Sequence, residues 1–518
     1  MLIERHAGAP RTERRHIPLW LKIIAGCIIG LVAAGVILLA THWPFSRDAI
    51  TRALESATSR RVEIGGFSQS YFPPGCTAEN VRVLSDGQQD GQPLITLRKI
   101  VVQGSFTGMF TSPKRLARVK LVGMHLVIPH KGPHSTGVAL NTGAGGKGLA
   151  ISRIVADGAV LDFVKEERNK PPYRLTVNKL IVTGVNEGKP MAYQTVLTNT
   201  EPPGVIRAQG KFGPWHPNDP GSTQVSGAFT YTDADLGEFH GINGKLQGKG
   251  TFQGPLGHME TEGTTEVPSF HVSGSANAVH LNVSFHAIVN GTNGDTYLEP
   301  ADATFLRSRL IARGGIEDGN GQQGKTATLA ISVPSGRIED ILRLFVKTKS
   351  APVSGAVSIS GKLVWPPGPA DFVRKIRMDL DFGIDRGRFT SENTQGTIDK
   401  LGKSGEGESK SELKEDPRTL LSDLRGHVAF RDGIANFQNV SLAVSGASAK
   451  IHGTYSLVDS QVDLDGVLYT RGKLSDATSG LKAVLAKLIT PFFKKKHDVK
   501  QIPFKITGTF ADANVSLD

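Results

Sequence analysis

Cysteine is almost absent from this sequence, since Cys27 and Cys76 are the two cysteines among its 518 residues. Cys27 lies inside a long apolar segment, so we expect no disulfide between them, and packing must supply the stability of the fold. Aromatic residues make up 7% of the chain, and most of them are phenylalanine. The scarcity of tryptophan and tyrosine argues against the exposed aromatic platforms that bind glycans.

The sequence also lacks the short motifs of catalytic and metal sites. It contains neither H-E-x-x-H nor C-x-x-C, and Lys147 is followed by Gly148 where a phosphate-binding loop needs Ser or Thr. His125, His130 and His134 would reach a metal ion if their loop folded back, but loop histidines in solvent explain them better. We therefore predict a protein that is not an enzyme, with no cofactor and no metal site.

Basic charge is concentrated at the two ends of the chain, whose formal net charge is +12. Residues 1–22 hold five basic and two acidic side chains, and residues 471–500 hold eight basic and two acidic ones, so these stretches carry +3 and +6. A nucleic-acid binder should instead spread basic charge over one face of its fold. The distribution favours anionic membrane surfaces as partners and argues against nucleic acid.

One apolar run is long enough to cross a membrane. From Ile23 to Ala40 there are 18 residues without a charge, which as a helix span about 27 Å, close to the hydrocarbon thickness. A cleaved signal peptide usually has a shorter apolar region, and a lipoprotein signal ending at Cys27 would need a longer run before it. We predict a transmembrane signal anchor over residues 17–43, with residues 1–16 in the cytoplasm and the body outside it.

Beyond this run, the hydrophobic pattern has period two. Apolar and polar side chains alternate in Val279–Phe285, in Met378–Ile384 and in Val122–Ile128. Strands with one apolar face are typical of antiparallel sheets that are covered on one side. We therefore predict a mostly β protein, in which the N-terminal transmembrane helix precedes an elongated, twisted antiparallel β-sheet with a few short amphipathic helices.

Turns and helices punctuate the strand pattern. Asp157-Gly158, Asn243-Gly244 and Asp432-Gly433 have the composition of hairpin turns. Helical spacing begins after Ser46, after Ser335 and at Leu481, where the last helix precedes three consecutive lysines. The predicted organisation is a cytoplasmic tail (1–16), the anchor (17–43), an N-terminal β region (44–200), a middle β region (201–398), a flexible charged loop (399–418) and a C-terminal region (419–518).

Three blocks, in order along the chain, resemble the AsmA-like family of bacterial envelope proteins, relatives of TamB and YhdP. The first runs from Phe45 to Phe72 and includes Arg60-Arg61-Val62-Glu63-Ile64, although Ser59 stands where the family commonly has Gly. The second is Val119 to Pro129, and the third is Leu424 to Asp518. The blocks cover about half of the chain, and the middle of the chain resembles the family only in its general residue pattern.

The resemblance implies a U-shaped sheet with a hydrophobic inner groove that binds or conducts phospholipid. It also implies a single-pass protein of the bacterial inner membrane whose body lies in the periplasm. Combining it with the alternating pattern gives these candidate groove residues: Val279, Leu281, Val283, Phe285, Met378, Leu380, Phe382 and Ile384. An ordinary sandwich core remains an alternative role for them. A structural or assembly factor for outer-membrane proteins remains an alternative function, with an outer-membrane or other envelope protein as partner.

The basic helix near the C-terminus has two possible roles. An apolar stripe from Leu481 to Phe492 is flanked by cations, so the helix could lie on an anionic membrane. It could equally cap the open end of the sheet with its lysines in solvent, since strand pattern returns at Ile502. The candidate membrane-surface residues are Lys482, Lys487, Lys494, Lys495 and Lys496.

Overall fold

The structure is a computed structural model of the chain. It describes residues 43–58, 60–84, 93–109, 114–128, 149–164, 172–185, 189–200, 202–216, 219–275, 277–319, 324–345, 351, 353–389, 422–444, 447–470, 500–509 and 512–517. Within these ranges, no helix has the length and hydropathy needed to span a bilayer. The predicted anchor, except Trp43, lies outside the described residues, as do the charged loop 399–418 and the candidate membrane-surface lysines.

The described chain is mostly β, and its strands form one long sheet curled into a half-barrel, with few helices. The helices are α1 (Arg47–Thr58), α2 (Phe106–Met109), α3 (Ile338–Arg343) and α4 (Phe372–Lys375), with 3-10 turns at Pro220–Ser222 and Leu236–Phe239. The strands are β1 (Val62–Ser70), β2 (Gly75–Leu84), β3 (Pro93–Gly104), β4 (Lys114–Ile128), β5 (Leu149–Phe163), β6 (Tyr173–Val185), β7 (Met191–Thr200), β8 (Pro203–Phe212), β9 (Gln224–Asp235), β10 (Ile242–Asn243), β11 (Lys245–Pro255), β12 (Met259–Val272), β13 (Val279–Val289), β14 (Thr296–Phe305), β15 (Ser308–Asp318), β16 (Lys325–Arg337), β17 (Val353–Trp365), β18 (Arg377–Phe389), β19 (Ser422–Arg431), β20 (Ile434–Val444), β21 (Ala447–Ser456), β22 (Gln461–Thr470), β23 (Lys500–Thr509) and β24 (Asp512–Leu517).

The strands pair in the order in which they occur in the chain. Each strand from β1 to β24 pairs with the next, except that the two-residue β10 pairs with β12 alone and β9 pairs with β11. At about 4.8 Å per strand, the sheet would extend about 100 Å along the stacking direction before twist and curl shorten it.

The expectation of a wholly antiparallel sheet is wrong at one place. Strands β4 and β5 are parallel, with Lys114 beside Leu149 and Ile128 beside Phe163. A parallel pair requires a connection long enough to return to the starting end of the first strand. The segment between Ile128 and Leu149 has that length, and its glycine-rich sequence gives no signal of the direction in which the next strand runs.

Two of the predicted turns have different outcomes. Asp432 and Gly433 form the β19–β20 turn, both with positive φ, which confirms that hairpin. Asp157-Gly158 instead lies inside β5, where Gly158 has φ 68° and the pairing with β6 skips a residue. A left-handed glycine is accommodated within a strand as well as in a turn, so the dipeptide alone could not distinguish them.

Helix α1 protects the free edge of β1. The Arg47 guanidinium donates a hydrogen bond to the Ile64 carbonyl oxygen, and the Val62 N–H donates one to Glu55 Oε1 at 3.1 Å. Ile50 and Leu54 pack the apolar stripe of the helix against the core formed by the first strands. Side chains of the helix therefore take backbone groups that would otherwise be open to another strand.

Candidate functional site

All eight candidate groove residues lie on one face of the sheet, which we call the apolar face. Val279, Leu281, Val283 and Phe285 lie on β13, and Met378, Leu380, Phe382 and Ile384 lie on β18. Their polar neighbours, such as Asn282 and Asp381, point to the opposite, polar face and are exposed. The period-two prediction of these two strands is thus confirmed.

The apolar face continues without a break across the strands between β13 and β18. In antiparallel sheets, residues directly opposite each other lie on the same face. One row of such partners crosses six strands and contains only carbon side chains and a glycine: Phe285, Ala301, Ala312, Ile331, Gly361 and Leu380. The two groups of predicted residues therefore belong to one surface.

The same rule extends the apolar face to both ends of the sheet. Towards the N-terminus, Gly263 opposite Phe285 leads through Gly250, Phe229 and Ala208 to Thr195 on β7, which is a polar position in the row. Val81 opposite Ile64 lies near the far end. Towards the C-terminus the row reaches Ile506 on β23. One side of nearly every strand is thus apolar along the full length of the sheet.

No second layer covers most of this face in the described part of the chain. Each strand there makes extensive contacts only with its sheet neighbours and with the short helices. Val283, Phe285 and Phe382 are only partly buried. A sandwich core would bury side chains at the centre of its inner face almost completely. The sandwich-core alternative therefore lacks the second sheet it needs among these strands.

Small side chains are better covered on the apolar face than on the polar face. Ala287 and Ala159 on that face are each 1% exposed, whereas Ala192 and Ala330 on the polar face are exposed. Larger side chains on the same and neighbouring strands close over these methyl groups. We call the apolar side of the half-barrel the trough.

Glycines on the apolar face permit close approach between the strands. A Cβ atom built on Gly210 would lie 1.8 Å from the Ser226 carbonyl oxygen, and one on Gly361 would lie 2.1 Å from that of Asp379. Only a residue without a side chain fits at such places, which are typical of strands that bend sharply. Similar backbone collisions arise at Gly227, Gly250, Gly263, Gly314 and Gly453.

Short segments cover one rim of the trough. Phe239 and Phe372 hold Trp365 between them, with ring centroids 5.3 and 5.0 Å from the indole. Leu281 and Met378 pack beneath this cap, in the clusters that also contain buried Val267 and Ile376. The predicted groove residues therefore lie in two different environments. Leu281 and Met378 are part of a local core, whereas Val283, Phe285 and Phe382 lie beyond it.

The predicted residues also differ in accessibility. Val279, Ile384 and Leu380 are 3%, 5% and 9% exposed, so neighbouring side chains already cover them. Sequence alternation cannot separate these positions from the partly exposed ones, because all of them share the same face. Sequence reasoning also missed apolar-face positions on strands whose pattern is weaker, such as Leu329 and Leu363, which face each other.

The apolar face also carries hydroxyl and amide groups. The Tyr231 hydroxyl donates a hydrogen bond to the Pro202 carbonyl oxygen and accepts one from Asn199 Nδ2 at 3.0 Å. Burial raises the pKa of Tyr193 to about 12, so its phenol stays neutral at ordinary pH.

Charged side chains on the polar face pair across the strands. His427 lies between Asp379 and Asp381, with Nδ1 3.0 Å from Asp381 Oδ1, and Lys505 Nζ lies 3.0 Å from Asp463 Oδ1. Exposed pairs of this kind contribute little to stability. The aspartates therefore lie on the solvent-exposed face of their strands, as the alternating pattern predicts.

His125 has a partner that the sequence did not indicate. Its Nε2 lies 2.8 Å from Asp162 Oδ2 on the neighbouring strand, and the Arg174 guanidinium donates two hydrogen bonds to the same carboxylate. The hydrogen bonds from Arg174, and to a smaller extent the one from His125, hold the pKa of Asp162 below its usual value, although burial acts to raise it. His130 and His134 lie outside the described residues, and the residues within the structure contain no group suited to hold a metal ion.

The chain was compared with protein-family models, with curated proteins and with solved structures, and nothing matches in any of the three.

Proposed function

We propose that the protein binds phospholipid along the trough and conducts it through the cell envelope, anchored in the bacterial inner membrane by residues 17–43 with its body in the periplasm. The observation that carries this proposal is the continuous apolar inner face, open along most of its length in the described strands. Each methylene group that leaves water for such a surface contributes about 0.8 kcal/mol. Acyl chains have the length and apolarity to occupy it.

The charge on the two faces fits the same function. An acyl chain in the trough would contact carbon side chains, while the phosphate and its substituents would remain near the open side and water. The carboxylates of the polar face, such as Asp381 and Asp463, point away from the trough. The resemblance of the N-terminal and C-terminal blocks to AsmA-like proteins agrees with this proposal, in which no catalytic step takes place.

Photocrosslinking at adjacent positions on β18 tests the proposal. Benzoylphenylalanine at Phe382 points into the trough, and the same probe at Asp381 points to the polar face and serves as the matched control. Leu380 is less suitable because it is only 9% exposed. With the full chain in vesicles of phosphatidylethanolamine and phosphatidylglycerol, we expect phospholipid adducts at position 382 and none above background at position 381.

Other results of this experiment would favour other functions. Adducts with an outer-membrane protein at position 382 would support the assembly factor, in which the sheet guides client chains rather than lipid. Adducts only within the chain itself would show that position 382 is covered by its own residues. Equal lipid capture at both positions would contradict a lipid path confined to the inner face.

A further inference from the structure

The end of the sheet next to the predicted anchor carries the most exposed aromatic side chain of the described residues. Phe72, in the turn between β1 and β2, is 85% exposed, and Phe106 at the start of α2 is 40% exposed. Their ring centroids are 5.6 Å apart. Exposed phenylalanines that touch each other at a loop tip are unusual on a surface that faces only water.

The two loops that carry these rings are held together. The Gly104 N–H, at the end of β3, donates a hydrogen bond to the Pro74 carbonyl oxygen at 2.8 Å. Ser70 Oγ donates one to the Pro73 carbonyl oxygen at 2.9 Å. Phe72 and Phe106 therefore project from a braced edge of the first strands. We call Tyr71, Phe72 and Phe106 the aromatic tip.

The chain enters the fold at the same tip. Trp43, the first described residue, stacks on Tyr71 with ring centroids 5.0 Å apart and is 5% exposed. It follows Ala40, the last residue of the apolar run, by three positions, which an extended chain spans in about 10 Å. If residues 23–40 cross a bilayer, the aromatic tip lies within reach of its interface.

The charges around the tip suit an anionic surface. Residues 65–78 contain no charged side chain, and residues 101–120 contain four basic and no acidic ones. Of these, Arg115 and Arg118 are exposed, and Arg115 lies beside Gly108 of α2. Aromatic rings at the interface with flanking cations are the arrangement by which proteins sit on anionic membranes.

We propose that the aromatic tip inserts into the lipid leaflet from which the anchor emerges and holds the β1 end of the trough against it. This inference rests on the proposed function for the position of the membrane. It adds a second attachment besides the anchor, and it fixes which end of the trough meets the inner membrane. Lipid leaving the leaflet would then reach the trough beside β1 without crossing open water.

Crosslinking with the full chain tests the tip. We expect benzoylphenylalanine at Phe72, in phosphatidylethanolamine and phosphatidylglycerol vesicles, to capture at least about tenfold more lipid than the same probe at Tyr297, because a ring at the interface stays against acyl chains. Tyr297 is the matched control, since it is an aromatic residue 45% exposed on the polar face in the middle of the sheet. Lipid capture at position 72 no greater than at position 297, or capture of protein alone, would overturn the proposal.

Two further comparisons separate this proposal from the lipid trough itself. In detergent micelles, where no leaflet is present, lipid capture at position 72 should fall to the level of position 297. Capture at position 382 should persist there if lipid stays bound in the trough. Capture at 382 without capture at 72 in vesicles would refute the tip and leave the trough standing, and the reverse would refute the trough and support the tip.

Discussion

Replacing Gly210 by alanine should open the sheet locally between β8 and β9. The new Cβ would lie 1.8 Å from the Ser226 carbonyl oxygen and 2.6 Å from Gly227 Cα, so the two backbones must move apart. We expect a local loss of about 1–3 kcal/mol, as for other overpacked sites. In hydrogen exchange of the full chain, this corresponds to about 5- to 150-fold faster exchange of the β8 and β9 amides.

The sheet supplies two controls for this prediction. Gly66 on β1 has only ordinary contacts around its Cβ position, the nearest at 3.5 Å, so Gly66→Ala should leave exchange nearly unchanged. Because each described strand contacts mainly its neighbours, the effect of Gly210→Ala should stay local, as in repeat proteins. Unchanged exchange at β8 and β9, or equal acceleration at β20 to β22, would contradict the account of the curled sheet.

A carboxylate placed on the floor of the trough should stop lipid transfer while leaving the fold intact. Val283 is partly exposed on the apolar face, so Val283→Glu can keep its charge hydrated in the empty trough. An acyl chain passing that point would desolvate the charge, at a cost of several kcal/mol. Since 1.4 kcal/mol is a factor of ten, transfer of labelled phospholipid from proteoliposomes to acceptor vesicles should fall at least about tenfold.

The control for this substitution is one residue away. Asn282→Glu adds the same charge to the same strand on the exposed polar face, and we expect it to transfer lipid at the rate of the parent protein. Unchanged hydrogen exchange in β12 to β14 would show that both variants are folded. Equal transfer rates for the two variants would contradict a path along the apolar face.

The sequence revealed the β class and the apolar face where strands keep strict alternation. Met378–Ile384 is free of pairing irregularities in the structure. The register shift opposite Val279 and Leu281 places its extra residue on β12, so period two survives in the side chains of both segments. On β11, the apolar-face positions include Gly248 and Gly250, which carry no hydrophobic signal. The strands that bend most are therefore the ones whose pattern is hardest to detect.

The direction of a strand and the contacts between residues far apart in sequence cannot be predicted from the local hydrophobic pattern. The parallel pairing of β4 with β5 depends on the path of the chain between them, which the strand residues do not encode. Asp162 meets His125 across 37 positions of sequence, so the histidine resembled an isolated loop residue. Segments far along the chain cover Leu281 at the rim of the trough. Alternation could not predict this, because it predicts the same environment for Leu281 and Val283.

Quantitative lipid mass spectrometry of the full chain, purified from membranes in detergent, tests the central claim most directly. An apolar face that continues across nearly all the described strands has room for several acyl chains side by side. We therefore expect more than one phospholipid to remain bound per chain, and Val283→Glu to retain fewer than Asn282→Glu. A purified chain that holds no phospholipid above an unrelated single-pass membrane protein treated in the same way would contradict the claim that the trough is a lipid-binding surface.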